Sequence, residues 1–197
     1  MANKAILTSR GLTSVTGFEI IKRELQDFYV KNKKIFLFQG PYDFIVPALI
    51  DSCLQIGFQK ENIIVWDEKT KIMPDFSSIS IVYITEGNTF EIYDMLIKCG
   101  LNTTIQKWFS QGNNRILVGA SAGAIIAGED ISEAESFDKN FVQLKERRGL
   151  GLVEGVIIPH YSKSELKRYI KNTGIQNKYS KIYNIANDGV LTLENNR

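Results

Sequence analysis

One serine flanked by small residues is the side chain best suited to nucleophilic chemistry. The segment Gly119-Ala120-Ser121-Ala122-Gly123-Ala124 follows an apolar run and precedes an alanine-rich stretch. This G-x-S-x-G pattern, between a predicted strand and a predicted helix, is typical of a nucleophile elbow, a tight turn that exposes the serine hydroxyl at the edge of a sheet. The Ala122 amide, at a helix N-terminus, would be free to donate to an oxyanion. The alternative is a small-residue turn that merely packs a helix on a strand.

A serine hydroxyl is a weak nucleophile until a base accepts its proton. The sequence contains one histidine, His160, and it follows the apolar run Val156-Ile157-Ile158-Pro159. Ligands of open α/β sheets bind beyond the carboxyl ends of the strands, so Ser121 and His160 are expected to meet at one rim. A lone histidine is by default a surface or structural residue, but two such features at one sheet edge favour a catalytic pair.

The residue that orients the histidine is left open by the sequence. Glu133, Glu135 and Asp138 all lie between the serine and the histidine, in the irregular polar stretch 129–148. An acid usually orients the base of such a pair. Each of the three is by itself more consistent with a solvated acidic loop, and at most one is expected to face the imidazole.

A second unusual turn follows the predicted strand 79–84. Gly87 precedes Asn88 and Thr89 there, before a predicted helix. A glycine allows the backbone to approach a ligand closely, so the Gly87 amide is a candidate second oxyanion donor. The alternative is an ordinary strand-to-helix turn in which Asn88 or Thr89 is the N-cap.

Composition limits the classes of function. The 197 residues fit one domain, predicted to span 1–197, and 24 basic against 22 acidic residues give a net charge of +2, too balanced to predict nucleic-acid binding. One histidine and two separated cysteines cannot form a His/Cys metal cluster, so no metal or cofactor is expected. No stretch approaches the ~20 apolar residues of a membrane span. The apolar run at the N-terminus is too short for a signal peptide, and two unrelated cysteines do not make a disulfide framework. Both observations favour a cytoplasmic protein.

Hydrophobic periodicity predicts alternating strands and helices. We expect strands at 5–8, 34–38, 62–66, 79–84, 115–118 and 155–158, helices at 17–29, 43–56, 89–99, 103–110 and 163–171, and a closing hairpin formed by 181–185 and 190–193. Such alternation implies an α/β fold, a three-layer sandwich with a mostly parallel central sheet.

The motifs in this order resemble the peptidase E family of aspartyl dipeptidases and their relatives, including cyanophycinase. The resemblance rests on Gly87-Asn88-Thr89-Phe90, on the segment 119–124 and on Pro159-His160-Tyr161, and it spans almost the whole chain. It implies a fold like that of class I glutamine amidotransferases and a Ser-His-acid peptidase. Ser121 would be the nucleophile, His160 the base, and Gly87 and Ala122 the oxyanion donors.

For the acid, the family places an Asp or Glu after the elbow helix and before the histidine. Asp138 is our choice, with Glu135 and Glu133 as alternatives, and Asn88 and Tyr161 are expected to contact substrate. Two departures from the family pattern stand out. Glu86 occupies a position that is commonly glycine, where its carboxylate would repel an acidic substrate unless it points away. The segment after His160 is short, and Lys167 or Arg168 is a candidate partner for a substrate carboxylate, although a solvated helix face is the simpler interpretation.

Three hypotheses follow. The first is a serine peptidase that hydrolyses short peptides, including dipeptides with an acidic N-terminal residue, with no nucleic-acid or membrane partner and a homodimer left open. The second is an esterase or amidase that uses the same site. The third is a binding or regulatory member of the fold that has lost productive geometry.

Overall fold

Short runs rich in isoleucine, leucine, valine and phenylalanine form the strands at the centre of the molecule. The computed structural model describes residues 2–70, 72–162 and 178–195. Its strands are β1 (Asn3–Thr8), β2 (Lys34–Phe38), β3 (Ile63–Val65), β4 (Ile79–Ile84), β5 (Ile116–Ala120), β6 (Val156–Ile158), β7 (Ile182–Asn184) and β8 (Val190–Asn195). The predicted strands from 5–8 to 115–118 therefore agree with the structure to within a few residues.

Among the described residues, the central sheet has six strands in the order β3-β2-β4-β5-β1-β8. Every neighbouring pair is parallel except β1 with β8, which is antiparallel and pairs Ala5 with Leu193. Parallel neighbours need crossover connections, and these place helices on the faces of the sheet. The expectation of an α/β fold with a mostly parallel central sheet is confirmed.

Five α-helices lie in the described residues: α1 (Val15–Leu25), α2 (Val46–Ile56), α3 (Thr89–Lys98), α4 (Leu101–Gln111) and α5 (Ala122–Ala127). Their ends follow local chemistry. The Ser14 side chain accepts a hydrogen bond from the Gly17 amide and caps α1, whereas α2 ends at Gly57 in a left-handed conformation. No helix among these residues is long and apolar enough to cross a membrane.

Alternation along the strands divides the core between the two faces of the sheet. In β4, Ile81 and Tyr83 pack into the cluster that includes residues of α1 and α2, whereas Val82 and Ile84 pack into the cluster that includes residues of α3, α4 and α5. Successive strand side chains point to opposite faces, so strands that are apolar on both faces must be covered on both. The three layers therefore follow from the strand sequences themselves.

The carboxyl ends of three adjacent parallel strands define the edge that concerns function. Ser9 follows β1, Thr85 follows β4 and Ser121 follows β5, and these strands are neighbours in the order β4-β5-β1. Residues that follow parallel strands lie at the same rim of the sheet. Thr85 and Ser121, about 75 and 112 residues after Ser9 in the sequence, are thereby brought to the same edge as Ser9.

The structure differs from the sequence prediction at the C-terminal end. The segments 181–185 and 190–193 do not form a hairpin: β7 pairs in parallel with β6 in a separate two-stranded sheet, and β8 pairs with β1 at the edge of the central sheet. The turn at Asn187-Asp188-Gly189 connects two sheets rather than two paired strands, because β1 and β6 offer free edges on either side of it. The predicted helix 163–171 lies outside the described residues.

Candidate active site

Ser121 occupies a strained turn between β5 and α5. Its backbone angles are φ 47° and ψ −104°, a combination that costs a residue with a side chain on the order of 1–3 kcal/mol. The Ser121 amide donates to the Thr8 carbonyl at 2.8 Å, and the Gly123 amide donates to the Thr85 carbonyl at 3.1 Å. These bonds attach the turn to the ends of β1 and β4, so the neighbouring strands hold the strained conformation.

Two glycines leave room for this turn. A methyl group on Gly119 would lie 2.7 Å from the carbonyl oxygen of Gly123, and one on Gly123 would lie 2.2 Å from the carbonyl oxygen of Ile84. Both distances are well inside van der Waals contact with backbone atoms that cannot rotate away. The two glycines of the G-x-S-x-G pattern are thus required because α5 approaches β5 and β4 too closely for a side chain.

His160 follows β6 and also has a left-handed backbone, with φ 56°. Its amide donates to the Ser9 hydroxyl oxygen at 2.9 Å, and that hydroxyl donates to the Ile185 carbonyl at 3.0 Å. The Tyr161 amide donates to the same carbonyl at 2.9 Å. Ser9 is fully buried, so one side chain from the end of β1 connects the histidine backbone to the segment after β7.

The structure places the serine and the histidine in contact. The Oγ atom of Ser121 lies 2.9 Å from Nε2 of His160, and Nδ1 of the same ring lies 2.8 Å from Oδ1 of Asn187. An amide oxygen can only accept, so Nδ1 carries the proton and Nε2 is left to accept from the serine hydroxyl. This is the tautomer that a general base needs.

The histidine partner is therefore not one of the expected carboxylates. The Asp138 carboxylate accepts a hydrogen bond from the Thr89 amide at 2.8 Å, and Glu135 forms an ion pair with Arg147 at 2.9 Å. The expectation that Asp138 orients His160 is corrected by this geometry. The segment after the elbow returns toward the N-terminus of α3, whereas the turn before β8 brings Asn187 to the imidazole.

Glu133 lies in a different environment from the other two acids. It is fully buried, and neither carboxylate oxygen has a hydrogen-bond partner among the described residues. Loss of hydration on burial is the main cause that raises its pKa to about 8, and the charge of Asp130 adds to the shift. Glu133 is therefore predominantly a neutral carboxylic acid at pH 7, not an ionised partner for a histidine.

The loop that contains Gly87, the candidate oxyanion donor, lies directly beyond β4. Gly87 has φ 139°, and a methyl group there would lie 2.3 Å from the Tyr42 ring. The Tyr42 hydroxyl accepts from the Asn88 amide at 2.9 Å and donates to the Glu91 carboxylate at 2.9 Å, and burial is the main cause that raises the Tyr42 pKa to about 12. Within the part of the chain that the structure describes, the amides of Gly87 and Ala122 donate to no other protein group.

Glu86 does not face this loop. Its carboxylate accepts hydrogen bonds from the Gly11 amide at 3.2 Å and from the Thr13 hydroxyl. Both partners belong to the loop between β1 and α1, so the negative charge is directed away from Gly87. The sequence suggested that Glu86 would repel an acidic substrate unless its carboxylate pointed away. In the structure it points toward Gly11 and Thr13.

Asn88 and Tyr161, the two residues expected to bind substrate, have different surroundings. The side-chain oxygen of Asn88 accepts from the amides of Phe90 and Glu91 at 3.0 and 3.2 Å, and its nitrogen donates to the Lys139 carbonyl at 2.9 Å. Asn88 is thus the N-cap of α3, as its alternative interpretation proposed. Tyr161 is half-buried next to the histidine. Lys167 and Arg168 lie outside the described residues.

Sequence reasoning missed two residues of the site, Ser9 and Asn187. Asn187 was interpreted as part of a hairpin turn because Asn-Asp-Gly is a common turn sequence. Ser9 carried a weak signal, since it directly follows a strand as Ser121 does. Neither residue's place in the sequence identifies a contact with His160, because Ser9 and Asn187 lie 151 and 27 residues away from it along the chain and are brought to it only by the tertiary structure.

A strained serine hydrogen-bonded to a histidine, on an α/β scaffold, is the arrangement that serine hydrolases with a nucleophile elbow share. The family model of Peptidase family S51 matches residues 5–197. The chain belongs to this family.

Its curated relatives include uncharacterized peptidases. One from Listeria monocytogenes is 32% identical over 111 residues, which cover 54% of this chain and 52% of the relative. One from Pasteurella multocida is 30% identical over 84 residues, which cover 42% of this chain and 40% of the relative. The matches thus span about half the length of these relatives, or less.

Solved structures share the fold over nearly the whole chain. A candidate peptidase E protein from Listeria monocytogenes EGD-e superposes with a TM-score of 0.72 at 21% identity, covering 100% of this chain and 96% of that one. A peptidase from an acI-B1 Actinobacterium superposes with a TM-score of 0.66 at 17% identity, covering 98% and 84%. At these identities the likeness concerns the fold.

Proposed function

We propose that this protein is a serine peptidase that hydrolyses short peptides through an acyl-enzyme. The observation that carries the proposal is the 2.9 Å contact between Ser121 Oγ and His160 Nε2, on a strained turn at the carboxyl edge of the sheet. Membership of Peptidase family S51 supports the peptide bond as the target.

In the proposed mechanism, His160 accepts the hydroxyl proton of Ser121 as the oxygen attacks the peptide carbonyl carbon. The carbonyl oxygen becomes an oxyanion, and the amides of Gly87 and Ala122 donate to it. The imidazolium then gives its proton to the leaving nitrogen, the C–N bond breaks, and an acyl ester on Ser121 remains. A water molecule, deprotonated by His160, hydrolyses that ester and restores the serine.

Asn187 acts in this mechanism as the residue that orients the base. Its oxygen keeps the proton on Nδ1 and holds the ring toward Ser121, which is the geometric part of the role of a triad acid. It carries no charge, so it stabilises the imidazolium less than a carboxylate would. We therefore assign the site as Ser-His-Asn.

Selectivity for peptides with an acidic N-terminal residue is the finer part of the proposal. It derives from the resemblance to peptidase E, and the orientation of Glu86 toward Gly11 and Thr13 is compatible with it. A library of dipeptides that differ in the first residue tests it. Preference for Asp or Glu in that position supports the assignment, and equal cleavage of all first residues contradicts it.

The central test combines labelling and turnover. Purified protein is treated with a fluorophosphonate, and intact mass is measured in parallel with dipeptide hydrolysis. We expect Ser121→Ala and His160→Ala to abolish both signals, whereas Ser110→Ala, an exposed serine at the end of α4, retains them. Hydrolysis by Ser121→Ala at the wild-type rate would refute the proposal.

The two other hypotheses give different outcomes in the same assays. Labelling of Ser121 with hydrolysis of simple esters but no peptides would favour an esterase or amidase. No adduct on a folded protein would favour a binding or regulatory member of the fold. The strained serine in contact with the base favours an active enzyme over that last alternative.

A further inference from the structure

The side chain of Tyr42 meets the loop that contains Gly87. Tyr42 lies shortly after β2, and β2 pairs in parallel with β4, so the residues after both strands lie at the same edge of the sheet. A methyl group on Gly87 would lie 2.3 Å from the Tyr42 ring, which therefore occupies the space that a side chain at position 87 would need. On another side, the Phe44 ring packs against the Tyr42 ring, with centroids 6.1 Å apart and planes at 71°. The Tyr42 ring is thus in contact with both Phe44 and the backbone of Gly87.

The Tyr42 hydroxyl forms two hydrogen bonds that fix its direction. It accepts from the Asn88 amide at 2.9 Å and donates to the Glu91 carboxylate at 2.9 Å. A carboxylate can only accept, so the hydroxyl proton lies toward Glu91 and an oxygen lone pair is left for the amide. Burial raises the pKa of Tyr42 to about 12, so the phenol keeps this proton at neutral pH. Glu91 therefore orients the hydroxyl that binds the loop.

The backbone amides that follow Gly87 are already engaged by the protein. Each backbone amide from 88 to 91 donates to the side chain of Tyr42, Asp138 or Asn88. In contrast, the Gly87 amide donates to no protein group in the part of the chain that the structure describes. Tyr42 therefore occupies the amide next to the candidate oxyanion donor and fixes the peptide unit on one side of Gly87.

We propose that Tyr42 is a positioning residue that holds the Gly87 amide where it donates to the oxyanion. The inference rests on the proposed function, in which the amides of Gly87 and Ala122 bind that oxyanion. A donor stabilises a transition state most when it is fixed before the charge develops, because no reorientation is then needed during the reaction. A glycine backbone has wide conformational freedom, and the ring and the hydroxyl of Tyr42 restrict it at two points.

The first test measures dipeptide hydrolysis by Tyr42→Phe, which keeps the ring against Gly87 and removes the hydroxyl. Loss of a whole oxyanion donor costs about 100- to 1000-fold in kcat, and a donor that is loosened rather than removed should cost less. We expect kcat to fall about tenfold and KM to change less than about twofold, since the oxyanion forms only in the transition state. A raised KM with an unchanged kcat would show that Tyr42 contacts substrate instead, and would overturn the inference.

The rate of fluorophosphonate labelling separates an effect on the site from an effect on folding. In that reaction the Ser121 oxygen bonds to phosphorus, fluoride leaves, and His160 accepts the hydroxyl proton. We expect the rate constant of Tyr42→Phe to fall about tenfold while the whole sample is finally labelled, because the phosphoryl oxygen uses the same donors. A partly unfolded sample would lower the final extent of labelling instead. The acidic limb of the pH profile for labelling should stay in place, since the contacts of His160 are untouched.

Glu91 provides an independent pair of variants. Glu91→Gln keeps an oxygen that accepts from the Tyr42 hydroxyl and should retain the wild-type labelling rate. Glu91→Ala removes that acceptor, and we expect the rate to fall about threefold to tenfold, the worth of one hydrogen bond. Both variants remove the same charge, so their difference isolates the hydrogen bond. Equal rates in the two variants would overturn the inference, and this comparison decides it if Tyr42→Phe does not fold.

Tyr83→Phe is the matched control for Tyr42→Phe. The fully buried Tyr83 hydroxyl also accepts from a backbone amide, that of Leu12 at 3.1 Å, but its ring packs on the face of the sheet that α1 and α2 cover. Its loss should lower stability and leave the labelling rate and kcat unchanged.

The outcomes for the two proposals are distinguishable. Labelling and hydrolysis by the wild type, with the same rate constants in Tyr42→Phe, would refute the positioning role of Tyr42 alone. Absence of both labelling and hydrolysis in folded wild-type protein would refute the proposed function and this inference with it.

Discussion

The Nδ1 atom of His160 lies 2.8 Å from the side-chain oxygen of Asn187, a neutral residue in the place where a carboxylate was expected. The contact fixes the imidazole tautomer without adding a negative charge. The proposed site thus separates two roles that an acid combines, orientation of the base and stabilisation of the imidazolium.

Substitution of Asn187 measures these roles separately. Asn187→Ala removes the acceptor that fixes the tautomer, and we expect kcat/KM to fall by at least about tenfold. Asn187→Asp keeps an acceptor and adds a charge that stabilises the imidazolium, so the acidic limb of the pH–rate profile should move to higher pH. Asp188→Asn changes a charge at the adjacent exposed position and should leave the profile unmoved. An unaltered profile in Asn187→Asp would contradict the assigned contact.

Ser9 is expected to act as a positioning residue. Ser9→Ala removes the acceptor of the His160 amide and the donor to the Ile185 carbonyl, both in a buried setting. We expect the free energy of unfolding to fall by about 1–3 kcal/mol and kcat to fall about tenfold, because the histidine loses its support. Chemical denaturation and steady-state kinetics measure the two effects.

Ser52→Ala is the matched control for Ser9. Ser52 lies on α2, and its hydroxyl donates to the Leu12 carbonyl at 2.8 Å. Loss of this hydrogen bond should lower stability without lowering kcat. Equal kinetic effects of the two substitutions would show that Ser9 acts on stability alone.

Gly123→Ala tests the geometry of the elbow. The added methyl group would lie 2.2 Å from the Ile84 carbonyl oxygen, so α5 must move away from β4. A displacement of about 1 Å at the nucleophile can cost on the order of 100-fold in rate, and we expect a loss of that size in kcat/KM. Gly100→Ala, where a methyl group meets no atom within 4 Å, should cost only about 1–2 kcal/mol of stability and retain activity.

The buried Glu133 makes stability depend on pH. Its pKa is about 8 in the folded protein against a usual value near 4.5, so between these values the folded state binds a proton that the unfolded state has released. Stability therefore falls as pH rises from about 4.5 to about 8. Glu133→Gln removes this penalty, and we expect it to raise the free energy of unfolding by several kcal/mol at pH 8 and little at pH 4.5.

Thermal or urea unfolding at the two pH values checks this expectation. Glu135→Gln, at an exposed position two residues away, is the control and should change stability by no more than about 1 kcal/mol. A Glu133→Gln variant no more stable than wild type at pH 8 would show that Glu133 is solvated or paired in solution.

Local patterns were sufficient for the central part of the fold. Strands 34–38 and 79–84 are predicted with their observed bounds, because short and mostly apolar runs bounded by turn residues favour buried strands. The C-terminal segments 181–185 and 190–193 were paired wrongly as a hairpin. Pairing of those strands depends on which other edges are free, and those edges belong to β1 and β6, far away in sequence.

The sequence by itself determined the candidate nucleophile and the single candidate base, because the spacing of glycines around Ser121 reflects short-range steric limits and His160 is the one histidine of the sequence. Only the tertiary structure decided which residue faces Nδ1 of that histidine. The sequence was compatible with any of three carboxylates as the partner of Nδ1, whereas in the structure that partner is Asn187. Hydrogen bonds between segments depend on distances in space, and these follow from strand order rather than from spacing along the chain.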